Sequence, residues 1–394
     1  MSLPEPRSAA FAPSDDAFAV ELLAAGAILT IDLDALAGNY RTVREAAPGA
    51  EAASLIKSDA YGLGGAPVAR ALWEAGCRTF FVAQAGEGAS LRSTLPRAVI
   101  YVLNGLFPGT ATLYRDHALR PCLSSLAEAE EWAAFCRQEG RLPAALLIDT
   151  GINRLGLSEA ETVSLAARPD LLDAFGLTLV MSHHACADDA AHPLNKRQLE
   201  RFERLRRLLP DAPASLANSA GIYLGPEHHF DLVRPGVAVF GGNPFSGKPN
   251  PFRPVVFLDA RLQQVRTLAP GESVGYGATF SATEPRRIAT LSAGYGDGLM
   301  RALSASGKGR ACIGGHFAPI VGRISMDMIN IDVTGVPASL LERGALVELL
   351  GSHITVDELA AACGTIGYEI LTGLGRRYAR VYKAGGRIIA GDNI

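Results

Sequence analysis

From Ala27 to about Asn250 short apolar, β-branched runs alternate with longer stretches in which apolar residues recur at i, i+3, i+4 and i+7. The runs are ILTIDL (28–33), EAASLIK (51–57), TFFVAQ (79–84), AVIYVLN (98–104), AALLID (144–149) and LTLVMSH (177–183), with weaker candidates near 119–123 and 213–217. Between them lie helical patterns such as DALAGNYRTVREA, APVARALWEAG and NKRQLERFERLRRLL. Strand and helix alternating over such a length imply parallel strands joined by crossovers. About eight strand candidates are what a (β/α)8 TIM-type barrel requires.

After Phe252 the texture changes. VVFLDARLQQVRTL, ESVGYGATFSA, RRIATLSAG, APIVGRISMDMINIDV and LVELLGS have strand periodicity, with turns at Pro270–Gly271 and Gly314–Gly315 and one helical pattern, VDELAAACG (356–364). The expected organisation is therefore an N-terminal extension (1–26), an α/β barrel (27–252) and a mainly β C-terminal domain (253–394). At 394 residues the chain is long enough for both domains.

Hydrophobic residues make up 48% of the chain and charged residues 20%, a globular composition with a sizeable core. The net charge of −3 and the lack of basic runs argue against nucleic acid and favour a small-molecule partner. Six scattered cysteines without paired spacing suggest neither zinc nor a disulfide framework, and point to a reducing cytoplasm. Asp15, Asp16 and Glu21 interrupt any secretory core, and no segment has about 20 apolar residues, so neither export nor a membrane span is expected.

Lys57 ends the run SLIK and precedes SDAYGLGG. In a parallel barrel that position falls at the carboxyl end of the strands, where active sites gather. A partly desolvated amine there becomes a plausible nucleophile, although a strand-end lysine taken alone is more often a salt-bridged surface residue.

KSDAYGLG resembles the cofactor-lysine motif of the alanine racemases, which bind pyridoxal 5'-phosphate. The likeness continues in family order through IDLDALAGNYR, DTGINRLG (149–156), MSHHACADD (181–189), LANSAG (216–221), RPGVAVFGG (234–242), VGYGATF (274–280), SAGYGDGLMR (292–301), GRISMDM (322–328) and GTIGYEILTGLGRR (364–377). It covers the chain from about Ala27 onward.

The resemblance implies that Lys57 carries the cofactor as an internal aldimine and then serves as one of two bases, with Tyr276 as the other. Two bases on opposite faces of a planar carbanion invert Cα directly. A free phenol titrates near pH 10, so a tyrosine base needs cationic or hydrogen-bonding neighbours, and His183 and Arg234 are the implied helpers. Arg234 is also the implied partner of the pyridine nitrogen, where related barrel decarboxylases use a carboxylate. Ser219, the backbone of Gly236 and Val237, and the hydroxyls of Tyr61 and Tyr368 are the implied phosphate ligands. Arg154 would meet both the substrate carboxylate and the cofactor's phenolic oxygen, and the Met326 N–H the substrate carboxylate, with Asp327 beside Met326, and Tyr295 would line the entrance.

One position departs from the pattern. Leu147 stands where many members keep a carbamylated lysine that orients the arginine, so Arg154 needs another counter-charge, such as a bound chloride or a polar neighbour. His183, His184, Asp188 and Asp189 could suggest a metal, but the resemblance assigns His183 to the tyrosine network and no metal is expected. The implied activity is interconversion of L- and D-alanine, supplying D-alanine for peptidoglycan, in a homodimer whose subunits share active sites. Competing readings are a broader-specificity or serine racemase, a noncatalytic pyridoxal-phosphate barrel, and a fold-related decarboxylase, the last disfavoured by Arg234.

Overall fold

The computed structural model describes residues 16–390, so most of the expected N-terminal extension lies outside the described residues. Two compact units are present: Leu36–Phe252, and the residues before Leu36 together with those from Arg253 on.

In the first unit seven strands pair in parallel in chain order: Ser54–Leu55, Thr79–Val82, Val99–Val102, Arg120–Leu123, Pro143–Leu147, Gly176–Met181 and Ala214–Ser215. An eighth segment closes the ring. Residues 231–235 accept from the N–H groups of Glu51 (2.8 Å), Ala53 (3.0 Å) and Leu55 (3.1 Å) on one side, while Arg234 N–H donates to Ala217 O (2.9 Å) on the other. A parallel bridge also joins Asn218 and Arg234. The expected eight-stranded barrel is therefore present, but ILTIDL is not one of its strands. Ala27–Asp32 pairs antiparallel with Val256–Leu268 and parallel with Ala379–Ala384, inside the β unit. A run buried along nearly its whole length fits either sheet, and its partners lie more than 200 residues away in sequence. The true closing strand is short and runs into Pro235, which has no N–H to give a ladder, so it lacks a strand signature.

The barrel helices follow local rules. Ser125 caps Leu126–Glu139 by accepting from Glu128 N–H at 3.2 Å. Ser158 and Glu161 form a reciprocal box at the start of Glu159–Ala166. Phe80, Phe81, Ile100, Leu146, Trp132 and Phe175 are buried in the core, with the Phe81 and Tyr101 rings stacked at 5.0 Å.

The second unit is built on a nine-stranded sheet. Its longest strand, Val256–Leu268, pairs with Ala27–Asp32, Arg286–Leu291 and Leu346–Leu350, and register shifts let one strand serve several partners. The expected helix is present at Val356–Cys363, capped by the Thr355 hydroxyl on Glu358 N–H (3.2 Å). Among the described residues no helix is long and apolar enough to cross a membrane, and no group of three or more His, Cys, Asp or Glu could hold a metal.

Candidate functional site

Lys57 opens the helical turn Lys57–Gly62 directly after the strand Ser54–Leu55. The turn is left-handed: Ser58, Asp59, Ala60 and Tyr61 all have φ between 53° and 57°. Left-handed helical conformation costs L-residues roughly 1–2 kcal/mol each, so four in succession persist only because neighbours hold them. Glu87 accepts from Ser58 N–H (2.6 Å) and Asp59 from Gly65 N–H (2.6 Å). Ala60 N–H donates to Ile56 O (2.9 Å) and Gly64 N–H to Asp59 O (3.0 Å). The turn leaves Lys57 half-buried and sinks Tyr61 into the barrel, its ring 4.6 Å from that of Phe240. Burial, followed by the positive charge of Arg154, lowers the Lys57 pKa, while Glu87 opposes the shift.

Tyr61 reaches the segment that closes the barrel. A Cβ on Gly236 would collide with the Tyr61 hydroxyl oxygen, with Tyr61 Cζ at 3.4 Å and Leu55 Cβ at 3.7 Å. The Ser219 hydroxyl accepts from Gly236 N–H (2.8 Å) and Ala238 N–H (3.4 Å). The Val237 N–H between them makes no hydrogen bond among the described residues. A buried hydroxyl, a free backbone N–H and a phenol around one glycine form a cradle for an anionic oxygen.

Arg234 lies beside this cradle and is 2% exposed. It donates to Ser215 Oγ and Ser182 O, with longer contacts to His183 Nδ1 and Leu216 O, both 3.4 Å. No carboxylate pairs with it among the described residues. Burial pulls its pKa down to about 10, which leaves it charged at neutral pH. His183 follows the strand Gly176–Met181, and burial with the charges of Arg234 and Arg154 pulls its pKa down to about 3, so its ring is neutral. Asn218 Nδ2 lies 3.5 Å from its Nε2.

The DTGINRLG loop is built on Asp149, whose Oδ1 accepts from the N–H groups of Gly151 (3.0 Å), Ile152 and Asn153 (3.1 Å each). It presents Arg154 to solvent, close enough to act electrostatically on Lys57 and His183. Arg154 has no hydrogen bond or ion pair among the described residues, and Leu147 is buried at the end of its strand.

The remaining residues belong to the β unit. Tyr276 starts a single 3-10 turn between Gly275 (φ 72°) and Gly277 (φ 74°) and is 73% exposed. A Cβ placed on Gly275 would come within 4 Å of the Arg323 backbone, three residues before Met326. Tyr295 N–H donates to Ser325 O (3.0 Å) and Gly296 N–H to Met326 O (2.8 Å), which brings Tyr295 and Met326 together, both with exposed side chains. Arg377 ties this pair of loops by bonding Asp297 (2.7 Å) and Asp327 (2.8 Å). Tyr368 is exposed on the first turn of Gly367–Gly373.

Within the barrel, Lys57, Tyr61, Arg154, His183, Ser219, Arg234, Gly236 and Val237 thus gather at the ends of different strands. Sequence reading passed over Glu87, Ser182, Ser215 and Arg377. Glu87 accepts from Gln84 N–H as an N3 residue does, but Gln84 is not a capping side chain and so gave no signal, and the serines hold Arg234 by contacts no local pattern encodes.

A family model described as the alanine racemase N-terminal domain matches residues 31–244, and one described as the C-terminal domain matches residues 255–382. The chain is 52% identical over 358 residues to an alanine racemase of Methylobacterium sp. (strain 4-46), spanning 91% of this chain and 98% of that one. It is 47% identical over 356 residues to a catabolic alanine racemase of Agrobacterium fabrum, spanning 90% and 91%. Its structure resembles that of the Bartonella henselae alanine racemase with covalently bound pyridoxal phosphate, with a TM-score of 0.87 and 40% identity over 91% of this chain and 100% of that one. The biosynthetic alanine racemase of Pseudomonas aeruginosa gives a TM-score of 0.85 and 35% identity, with the same coverage.

Proposed function

We propose, from the premise that this chain belongs to the alanine racemase family, that it is a pyridoxal-phosphate-dependent isomerase interconverting L- and D-alanine by a two-base proton transfer. The barrel residues fit that cofactor. The Gly236 cradle, which a Cβ would fill, accommodates a phosphate held by Ser219, the Gly236 and Val237 backbone and the Tyr61 hydroxyl. Lys57 would hold the aldehyde carbon, and Arg234 and His183 the ring. When bound, the cofactor supplies an electron-withdrawing ring that stabilises negative charge at Cα.

The single observation that carries this reading is Arg234, a buried cation with no carboxylate partner among the described residues. A carboxylate in its place would keep a ring nitrogen protonated, whereas a guanidinium that stays charged would leave it unprotonated. With the cofactor bound, Arg234 would thereby limit electron withdrawal by the ring, which would favour rapid return of the Cα proton and so racemisation over decarboxylation or transamination. Lys57, its amine made less basic by burial and by Arg154, moves the proton on one face of Cα. Tyr276 serves the opposite face. Arg154 and the Met326 N–H bind the substrate carboxylate, and Tyr295 narrows the entrance.

Arg154 lacks an acidic partner among the described residues and Leu147 cannot supply one, so a bound chloride or a polar neighbour balances its charge. A refined crystallographic map with neither an anion nor an acidic group beside the guanidinium would sink that point. Tyr276, nearly three-quarters exposed, supports a homodimer in which the β unit of one subunit serves the barrel of the other. Mixing Lys57→Ala with Tyr276→Phe protein should restore activity through one intact site per mixed dimer, and no recovery despite demonstrated subunit exchange would count against shared sites. Six free cysteines, four of them buried, support a cytoplasmic setting.

The test of the cofactor assignment is spectroscopic. Purified protein saturated with pyridoxal phosphate should show a visible absorbance band that Lys57→Ala lacks. An unchanged band in the variant would remove Lys57 from the site.

A further inference from the structure

A cavity lies at the other end of the barrel strands. It occupies about 320 Å³, within the range of small-ligand sites, and is lined by Val99, Arg120 and Pro143, the first residues of three successive strands. Lys57, His183 and Ser219 follow the opposite, carboxyl ends, so this cavity is separate from the site already described. Four arginines line it, Arg92, Arg97, Arg115 and Arg120, and no acidic side chain does so among the described residues.

Two of these charges are answered. Arg115 pairs with Asp116 and Glu139, each at 2.8 Å. Arg92 donates to the carbonyls of Leu95, Pro96, Ala98, His117 and Ala118, clamping the carboxyl ends of two helices whose dipoles favour a cation there. The other two are not. Arg120 donates to the Tyr101 hydroxyl (3.0 Å) and lies 5.4 Å from that ring, with no ion pair. Arg97 is exposed and makes no hydrogen bond or ion pair among the described residues. Arg120 stands close enough to Arg92 that, after burial, its charge lowers the Arg92 pKa. Like charges sharing a partly enclosed cavity without a counter-charge are what a bound anion relieves.

We propose that this cavity binds a small multivalent oxyanion, inorganic phosphate or a compact polycarboxylate, through Arg97 and Arg120. The amino end of a barrel is the end whose residues serve stability rather than chemistry. The ligand therefore stabilises the fold by mass action and leaves the racemase reaction unchanged.

The test is a thermal-shift and calorimetric titration of the holoenzyme with inorganic phosphate, and separately with citrate, at constant ionic strength set by chloride. The visible band is followed throughout, so that displacement of the cofactor phosphate would be seen. Saturable binding with an unchanged band is expected. Arg120→Gln should weaken it by about tenfold and Arg97→Gln by about threefold, both retaining full activity. Whichever probe saturates at lower concentration identifies phosphate or carboxylate as the class. Arg97 is exposed, so Arg97→Gln decides alone if Arg120→Gln fails to fold. Absence of saturation by either probe, or unchanged affinity in the folded variants, overturns the proposal.

Discussion

Gly236 is a point where one methyl group should weaken both folding and cofactor binding, and where removing the Tyr61 hydroxyl should separate the two effects. Its φ is not in the left-handed region, so alanine brings no backbone strain, and the whole perturbation is the collision of the new Cβ with the Tyr61 hydroxyl. Tyr61 is 3% exposed and packed on Phe240, so the ring cannot swing away freely. Overpacking of this kind costs about 1–3 kcal/mol. Displacing the hydroxyl would also weaken its proposed hydrogen bond to the cofactor phosphate, worth about 1.5–3 kcal/mol, which corresponds to about 10- to 150-fold in cofactor affinity. Tyr61→Phe removes the colliding oxygen and leaves Cζ at 3.4 Å. Gly236→Ala should therefore cost under about 1 kcal/mol of stability in that background, while affinity falls no further than in Tyr61→Phe alone. The assay is a double-mutant cycle read by urea midpoint and by fluorescence titration with pyridoxal phosphate. Purely additive effects, or affinity within threefold of wild type in Gly236→Ala, would refute the argument.

Other expectations concern charge. The folded-state pKa values of His183 and His184 are both pulled down to about 3, by burial first and then by Arg234 and Arg154 for His183, and by His228 and Arg234 for His184. The unfolded chain takes up those protons below about pH 6.5, so stability present at pH 7 is lost as pH falls towards 3. At pH 5 the loss is about 2 kcal/mol per histidine. Melting temperature against pH should show this slope, His184→Leu should shed part of it, and a flat profile from pH 7.5 to 5 would contradict it. Arg234→Gln removes charged donors to Ser182 and Ser215 and should lower kcat by about 100-fold, or about 2.7 kcal/mol, with an altered visible band; wild-type kcat would count against its role. Glu87→Leu removes the acceptors for Ser58, Ala83 and Gln84 N–H. It should cost about 2–4 kcal/mol in urea unfolding, and a loss below 0.5 kcal/mol would show that the left-handed turn does not depend on it.

The alternating pattern made the barrel legible because each strand–helix unit is local, and the period change after Phe252 made the β unit legible for the same reason. Partnership was not legible. Ala27–Asp32 reads as a barrel strand until its partners at 256–260 and 379–383 are known, and the closing strand at 231–235 is defined by bonds to Glu51, Ala53 and Leu55 rather than by its own pattern. In the site, Lys57 was visible as a strand-end lysine and Arg234 through its motif, but the left-handed conformation of Ser58–Tyr61 was not. That conformation opposes the preference of all four residues and exists through Glu87 and Asp59 contacts. Arg154 is likewise left without a counter-charge, since Leu147 is buried and the guanidinium has no protein partner among the described residues.

The central claim is that Lys57 and Tyr276 exchange the α-proton of alanine on opposite faces. Its most direct test incubates the cofactor-saturated protein with L-alanine in heavy water and follows chirality and deuterium at Cα together. Appearance of D-alanine carrying deuterium, abolished in Lys57→Ala, is the predicted result. Neither deuterium incorporation nor D-alanine from L-alanine would contradict the account.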